Sequence, residues 1–126
     1  ELLVVVSIIG ILTSLVVSNM NSARERARDT QRKSDLRSIQ TALRLYYNDH
    51  GGYPVSLPSW GAEWADGATV YMNKLPNDPL PGVNYRYTYI NDDSYTLAAC
   101  LENKSDDKGQ TAGSWCVSAW MYEVKP

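Results

Sequence analysis

Cys100 and Cys116 are the residues of this sequence that can most readily do covalent chemistry, because a pair of thiols can form a disulfide bond. Fifteen residues lie between them. There is no Cys-x-x-Cys pair, and His50 is the only histidine, so the pattern does not indicate a zinc site. The chain begins with an apolar segment of the export type, which predicts an oxidising compartment, and we therefore expect a Cys100–Cys116 disulfide. Two buried free thiols are the alternative.

Four aspartates form two adjacent pairs in polar segments of the chain, Asp92 with Asp93 and Asp106 with Asp107. Clustered carboxylates suit Ca²⁺, which prefers oxygen ligands. The regularly spaced acids of a calcium-binding loop are absent, however, and Asp is common in turns because its side chain bonds to nearby backbone. The four residues are therefore weak calcium candidates, and we expect no other metal or cofactor.

The remaining residues do not indicate a catalytic site. His50 has only Asp49 beside it, and the sequence contains no nucleophile elbow, phosphate-binding loop or dinucleotide-binding fingerprint. We therefore expect no catalytic residues, and hence no enzyme.

Glu1 is an acid that stands directly before an apolar segment, residues 2–17, which carries no charge. A signal peptide begins with basic residues instead, so we expect this segment to remain in the mature protein. A membrane-spanning helix needs about twenty apolar residues, and we expect a few more to precede Glu1 in the complete protein. Glu1 would then lie in apolar surroundings, where an unpaired carboxylate is costly. It needs a partner there, which makes it a candidate functional residue.

One long helix is predicted to carry this segment, because no proline occurs between Leu2 and Tyr47. Its predicted length is about 46 residues, or ~70 Å at a rise of ~1.5 Å per residue. The second half is amphipathic and has an apolar stripe that can pack against a head, formed by Leu36, Ile39, Leu43 and Tyr46. Gly51 and Gly52 are expected to end the helix, with Pro54 just beyond.

The C-terminal part of the chain is predicted to form a small antiparallel sheet that covers this stripe. Residues 85–90, 95–100 and 115–124 are the predicted strands, and a four-stranded sheet is the alternative to a three-stranded one. Residues 53–84 are rich in proline and are predicted to be a connecting loop, in which a short helix near 60–65 can form. The expected anchors of this loop are Trp60, Trp64, Val70, Tyr71 and Leu75. The fold class is thus α+β.

These elements divide the chain into an apolar half-helix (1–23), an amphipathic half-helix (24–52), the connecting loop (53–84) and a β head with a cysteine loop (85–126). Residues 1–47 carry a net charge of +3, and the rest of the chain carries −5. The basic excess lies between Arg24 and Arg37. It suits an anionic membrane surface or a solvated helix face with i,i+4 ion pairs. DNA binding is a less favoured alternative, and we do not expect nucleic acid to be the main partner.

The N-terminal sequence ELLVVVSIIGILTSLVVSNMNSARERA resembles the signature of type IV pilins and of the pseudopilins of type II secretion. The motifs HGGYP, after the helix, and KLPNDP, before the first strand, resemble the head of the major pseudopilin and its pilin relatives. This resemblance implies the type IV pilin fold, cleavage by a prepilin peptidase four residues before Glu1, N-methylation of the new terminus and storage in the inner membrane before assembly. It also implies calcium near the acidic turns.

The resemblance further implies a helical homopolymer, in which the candidate assembly residues are Glu1, Leu2, Leu3, Val4, Ile8, Ile9, Gly10, Ile11 and Leu12. The long cysteine loop is more typical of a pilus subunit. We therefore expect an extracellular pilus on the cell surface that serves adhesion, twitching motility or DNA uptake, with a type II secretion pseudopilus as a close alternative. A membrane-anchored binding module that never polymerises is the second alternative. Glu1 is expected to pair with the N-terminal amine of an adjacent subunit, and assembly machinery is expected to supply the work.

Ser18 stands where many bacterial pilins have a proline, eight residues after the glycine that corresponds to Gly10. In those pilins the helix unwinds between the two positions in the filament. Glycine destabilises a helix interior by ~1 kcal/mol, and the side chains of Thr13, Ser14 and Asn19 can satisfy backbone groups that unwinding releases. We therefore predict local loosening after Gly10 in the filament, with an unbroken helix as the alternative.

Overall fold

The N-terminal helix is the longest element of the computed structural model, which describes residues 1–126 except for the side chain of Ser18. This helix, α1 (Leu2–His50), has 49 residues and runs three residues beyond the predicted end. Gly51 ends it in the left-handed conformation, with φ 72°, and donates its N–H to the carbonyl of Tyr47 at 2.7 Å. A residue with a side chain is disfavoured at such a φ, which explains why glycine stops the helix here.

The segment after α1 folds into a hairpin, which corrects two sequence-based expectations. Strands β1 (Trp64–Asp66) and β2 (Thr69–Met72) pair antiparallel as a separate two-stranded sheet. The short helix that could form near 60–65 is therefore absent from the described chain, because residues 60–62 turn and β1 begins at Trp64. Residues 53–84 thus contain a hairpin and are not a loop throughout. Trp64 and Leu75 are buried and Trp60 and Tyr71 pack against the core, whereas Val70 is 48% exposed and anchors nothing.

The head contains a four-stranded antiparallel sheet in the order β3-β4-β6-β5. Its strands are β3 (Arg86–Asn91), β4 (Ser94–Cys100), β5 (Gln110–Thr111) and β6 (Trp120–Val124). The α+β fold class is confirmed, and the sheet has the fourth strand that was the alternative. The last strand begins five residues later than predicted, because residues 113–119 form turns around Cys116.

The hydrophobic core lies between the second half of α1 and the central strand β4. Leu36, Ile39 and Leu43 are completely buried, and Tyr46 packs against them from the edge of the core. Leu97 and several other residues outside α1 cover this stripe, namely Trp64, Leu75, Tyr85, Tyr95 and Ala99. The spacing of three and four residues puts the helix residues on one face, so the amphipathic pattern decides which side of α1 meets the sheet.

Candidate functional site

The apolar first part of α1 contacts no other part of the chain. Every described residue from Glu1 to Val17 is exposed, and Leu3 is exposed to 82%. The candidate assembly residues all lie here. The helix is long enough and apolar enough to cross a membrane. Since burying apolar surface is favourable by about 25 cal/mol per Å², this segment requires a cover from lipid or from another protein chain.

Glu1 stands at the N-cap position of α1, where its carbonyl accepts the N–H of Val5 at 3.4 Å. Its side chain is exposed and makes no capping hydrogen bond with the helix. The described part of the chain thus gives this carboxylate no partner of its own. Any partner that it has in apolar surroundings must come from outside the chain.

The helix is continuous through the polar residues that follow Gly10. The hydroxyl of Thr13 donates to the carbonyl of Ile9, four residues earlier, at 2.7 Å, and the Asn19 amide donates in the same way to Leu15 at 3.2 Å. These side chains already share the backbone acceptors that unwinding would free. The loosening after Gly10 was predicted for the filament, and for that state it stays a prediction.

A buried ion-pair cluster centred on Arg32 lies on the head-contacting face of α1, on the N-terminal side of the apolar stripe. The Arg32 guanidinium is 1% exposed and donates to three carboxylates: Asp78 through Nε and Nη2, and Asp29 and Glu102 through Nη1. These distances are 2.7–2.8 Å. Burial alone would lower the pKa of Arg32, but its carboxylate partners raise that pKa above its ordinary value.

Glu102 links this cluster to a second arginine. Its carboxylate accepts from Arg28 Nε at 2.7 Å and from Arg28 Nη2 at 2.5 Å, a bidentate pair that holds both groups in one plane. The hydrogen bonds from Arg28 and then Arg32 lower the pKa of Glu102 to about 2, against the opposing effect of its partial burial. Asp29 also accepts the backbone N–H groups of Glu102 and Asn103. The cluster therefore fixes both the side chain and the backbone of this loop.

Sequence reasoning missed this cluster, although one signal points to it. Counting back from Leu36 by four and by seven residues reaches Arg32 and Asp29, which therefore lie on the same face as the apolar stripe. Charged residues are mostly exposed, so the sequence between Arg24 and Arg37 indicates a solvated helix surface. Instead, Arg28, Arg32 and Lys33 are paired within the head. This leaves fewer free cations for a membrane surface or for DNA.

The structure does not bring the four calcium candidates together as a metal site. Asp92 and Asp93 lie in the β3–β4 turn, where they accept the hydroxyls of Tyr89 and Tyr47 at 2.5 and 2.6 Å. Asp106 lies in the loop that follows Glu102 and is paired with Lys33, while its neighbour Asp107 is exposed. Among the described residues, no three His, Cys, Asp or Glu side chains are arranged to hold a metal ion. These residues therefore do not fit a calcium site.

The two cysteines are joined in a disulfide, as expected from the sequence. Cys100 ends β4, and Cys116 lies in the turns before β6, with 5.6 Å between their Cα atoms. The bond closes the loop that contains Glu102, Asp106 and β5. It therefore fixes one side of this loop to the sheet, while the ion pairs fix the other side to α1.

His50 lies at the C-terminal end of α1 and contacts the β1–β2 hairpin. Its Nε2 lies 2.7 Å from Asp66 Oδ2, and its Nδ1 lies 3.1 Å from the carbonyl of Tyr46. The ring stacks on Tyr46 with 4.0 Å between centroids. The bond to the Tyr46 carbonyl, followed by the bond to Asp66, raises the pKa of His50 above its ordinary value. This arrangement joins the end of the helix to the hairpin.

Proteins of type II secretion are similar to this chain over most of its length. The type II secretion system core protein G of Vibrio cholerae is 30% identical over 93% of this chain and 88% of its own length. The protein of the same name from Pseudomonas aeruginosa is 34% identical over 91% of this chain and 90% of its own length. The one from Escherichia coli is 33% identical over 63% of this chain and 61% of its own length.

Two other comparisons gave no match. No protein-family profile and no solved structure matches the chain. The relatives nevertheless cover both the apolar half of α1 and the head, since two of them align with more than nine-tenths of the chain. Together with the long N-terminal helix and the antiparallel head, this similarity shows that the chain belongs to the type II secretion core protein G family, the major pseudopilins within the type IV pilin superfamily.

Proposed function

We propose that this chain is the major structural subunit of a type II secretion pseudopilus and that it polymerises through residues 2–17 of α1. One observation carries the proposal: an apolar segment with no cover in its own chain occurs in a relative of secretion core proteins. The segment lies in the inner membrane before assembly and against the same segment of other subunits afterwards. The head then forms the outer surface of the filament, without a catalytic role.

Transfer from lipid to a protein bundle supplies little hydrophobic driving force, because lipid tails are as apolar as leucine side chains. A specific interaction and external work are therefore needed. Glu1 supplies the specific interaction by pairing with the N-terminal amine of an adjacent subunit, since opposite charges attract more strongly in a low-dielectric core than in water. Processing by a prepilin peptidase, methylation of the new terminus and the assembly machinery complete the proposal.

A type IV pilus subunit is the second candidate, and the disulfide-closed loop between Cys100 and Cys116 is the observation that favours it. Such a pilus would serve adhesion, motility or DNA uptake at the cell surface. The identities of the relatives favour the secretion pseudopilus, which we therefore rank first. A membrane-anchored module that never polymerises is the remaining alternative.

Deletion of the gene in its own host distinguishes these functions. Loss of the pseudopilin should leave exported enzymes in the periplasm and reduce their amount in the medium, while surface pili and twitching remain. The opposite result, normal secretion with loss of surface pili, would show that the chain is a pilin. Normal secretion and normal pili would contradict both assembly roles.

Glu1→Ala tests the proposed contact within the same assay. The variant should reach the membrane in normal amount but should fail to restore secretion to the deletion strain. Glu63→Ala is the matched control, because Glu63 is an exposed acid of the head and lies outside the assembly segment. It should restore secretion fully. Full restoration by Glu1→Ala would exclude a docking role for this carboxylate.

A further inference from the structure

The loop formed by residues 101–109 is bound to α1 by cations of the chain itself. Arg28 and Arg32 donate to Glu102 near the start of this loop. Lys33 donates to Oδ2 of Asp106 in its middle, and Asp106 Oδ1 accepts the N–H of Lys108 at 3.0 Å. Three positively charged residues of α1 therefore pair with two acids of the loop.

The backbone of the loop is held as well. Asp29 accepts the N–H groups of Glu102 and Asn103, and the side chain of Asn103 accepts the N–H of Ser105 at 3.1 Å. At the far end, Gly109 lies directly against the indole ring of Trp120, so closely that a Cβ atom there would overlap the ring. Both ends of the loop and its middle are thus attached to the rest of the head.

A calcium ion would compete with these contacts. Ca²⁺ takes six to eight oxygen ligands, several of them carboxylates that must turn toward the ion. Here both oxygens of Glu102 accept from arginines, and one oxygen of Asp106 accepts from Lys33 while the other accepts a backbone N–H. Binding a dication would displace Lys33 from Asp106 and bring two like charges close together, which is unfavourable.

We propose that Arg28, Arg32 and Lys33 hold residues 101–109 in place of a metal ion, so that the head is fully stable without calcium. The proposal concerns the stability of the head and does not depend on the assembly function proposed above.

Thermal unfolding of the full chain in detergent micelles tests whether the head is fully stable without calcium. The unfolding of the head is followed by tryptophan fluorescence in EGTA, in millimolar CaCl₂ and in MgCl₂ at matched ionic strength. The midpoint should agree within ~1 °C in all three. A rise of about 4 °C or more in calcium but not in magnesium, the shift that ~1 kcal/mol produces in a small domain, would overturn the proposal.

Exchanging the charges of Lys33 and Asp106 tests whether this ion pair holds residues 101–109. Lys33→Asp should speed hydrogen exchange in peptides that cover residues 103–109 by about fivefold or more, as expected when a partly buried ion pair is lost. Combining it with Asp106→Lys should restore the native rate. Lys74→Asp, which changes an exposed lysine outside the loop, is the control and should leave these peptides unchanged. Native exchange in Lys33→Asp, or no restoration in the double variant, would contradict the proposed contact.

Discussion

Arg32 and Asp78 form a bidentate ion pair between α1 and the segment before β3, with 2.7 Å between each pair of atoms and with both side chains at most 1% exposed. Asp78 also accepts the N–H of Leu80 at 2.8 Å, so the pair fixes the backbone of that segment. The charged cluster and the apolar stripe therefore form one continuous contact between helix and head.

Arg32→Ala should destabilise the head strongly. It leaves the carboxylates of Asp29 and Asp78 buried without their cation, and breaking a buried pair in this way costs about 3–5 kcal/mol. Arg37→Ala removes an exposed arginine from the same helix and should change stability by no more than ~0.5 kcal/mol. Urea unfolding followed by tryptophan fluorescence measures both. A loss below about 1 kcal/mol in Arg32→Ala would show that the cluster is peripheral.

Acid should weaken the head through Glu102. Because its pKa in the folded state is lowered to about 2, its ion pairs contribute stability above the ordinary pKa of a glutamate, and this contribution is lost as the pH falls from about 4.5 toward 2. Asp106, whose pKa Lys33 lowers, acts in the same direction. The unfolding midpoint should therefore decline below pH 4.5, and more steeply in the native protein than in Glu102→Gln. The same pH dependence of the midpoint in both proteins would show that the Glu102 ion pairs do not stabilise the head.

His50 should make the stability of the head decrease as the pH rises, the opposite of the effect of Glu102. Its pKa is raised by the Tyr46 carbonyl and by Asp66, so the charged contact is fully present below the ordinary pKa of about 6.5 and is lost as the pH rises above it. An NMR titration should give a pKa above 6.5 for His50. In Asp66→Asn the pKa should fall, while Glu63→Ala should leave it unchanged. An unaltered pKa in Asp66→Asn would show that the pair is absent in solution.

The disulfide should stabilise the head substantially. Closing a loop of about 15 residues is worth ~3 kcal/mol in the chain-entropy model. The double variant Cys100→Ser, Cys116→Ser should lose about this amount in urea unfolding. Intact mass before and after reduction should differ by two hydrogens. Two alkylatable thiols in the unreduced protein would show that the bond does not form.

The sequence predicted those parts of the fold in which one pattern dominates. A spacing of three and four residues places Leu36, Ile39 and Leu43 on one helix face, and glycine can adopt the left-handed conformation that ends α1 at Gly51. The β1–β2 hairpin was missed, although Gly67 suits the first position of the two-residue turn, Gly67–Ala68, that joins the strands. The prolines of residues 53–84 favoured a loop instead, because proline is disfavoured in strands.

The charged cluster could not be predicted in the same way. A buried arginine is stable only when carboxylates from distant segments converge on it, and Asp78 and Glu102 are 46 and 70 positions away from Arg32 in the chain. Local patterns contain no information on that convergence. The helix face of Arg32 can be read from its spacing, but its burial depends on the fold of the whole head.

The most direct test of the central claim is a cryo-electron microscopy map of filaments isolated from the native host. In such a map, residues 2–17 of neighbouring subunits should pack together in the filament core. Glu1 should lie within ~4 Å of a neighbour's N-terminal amine, the distance of an ion pair. A filament that contains this chain but keeps residues 2–17 apart from the same segment of other subunits would contradict the claim that this helix drives assembly.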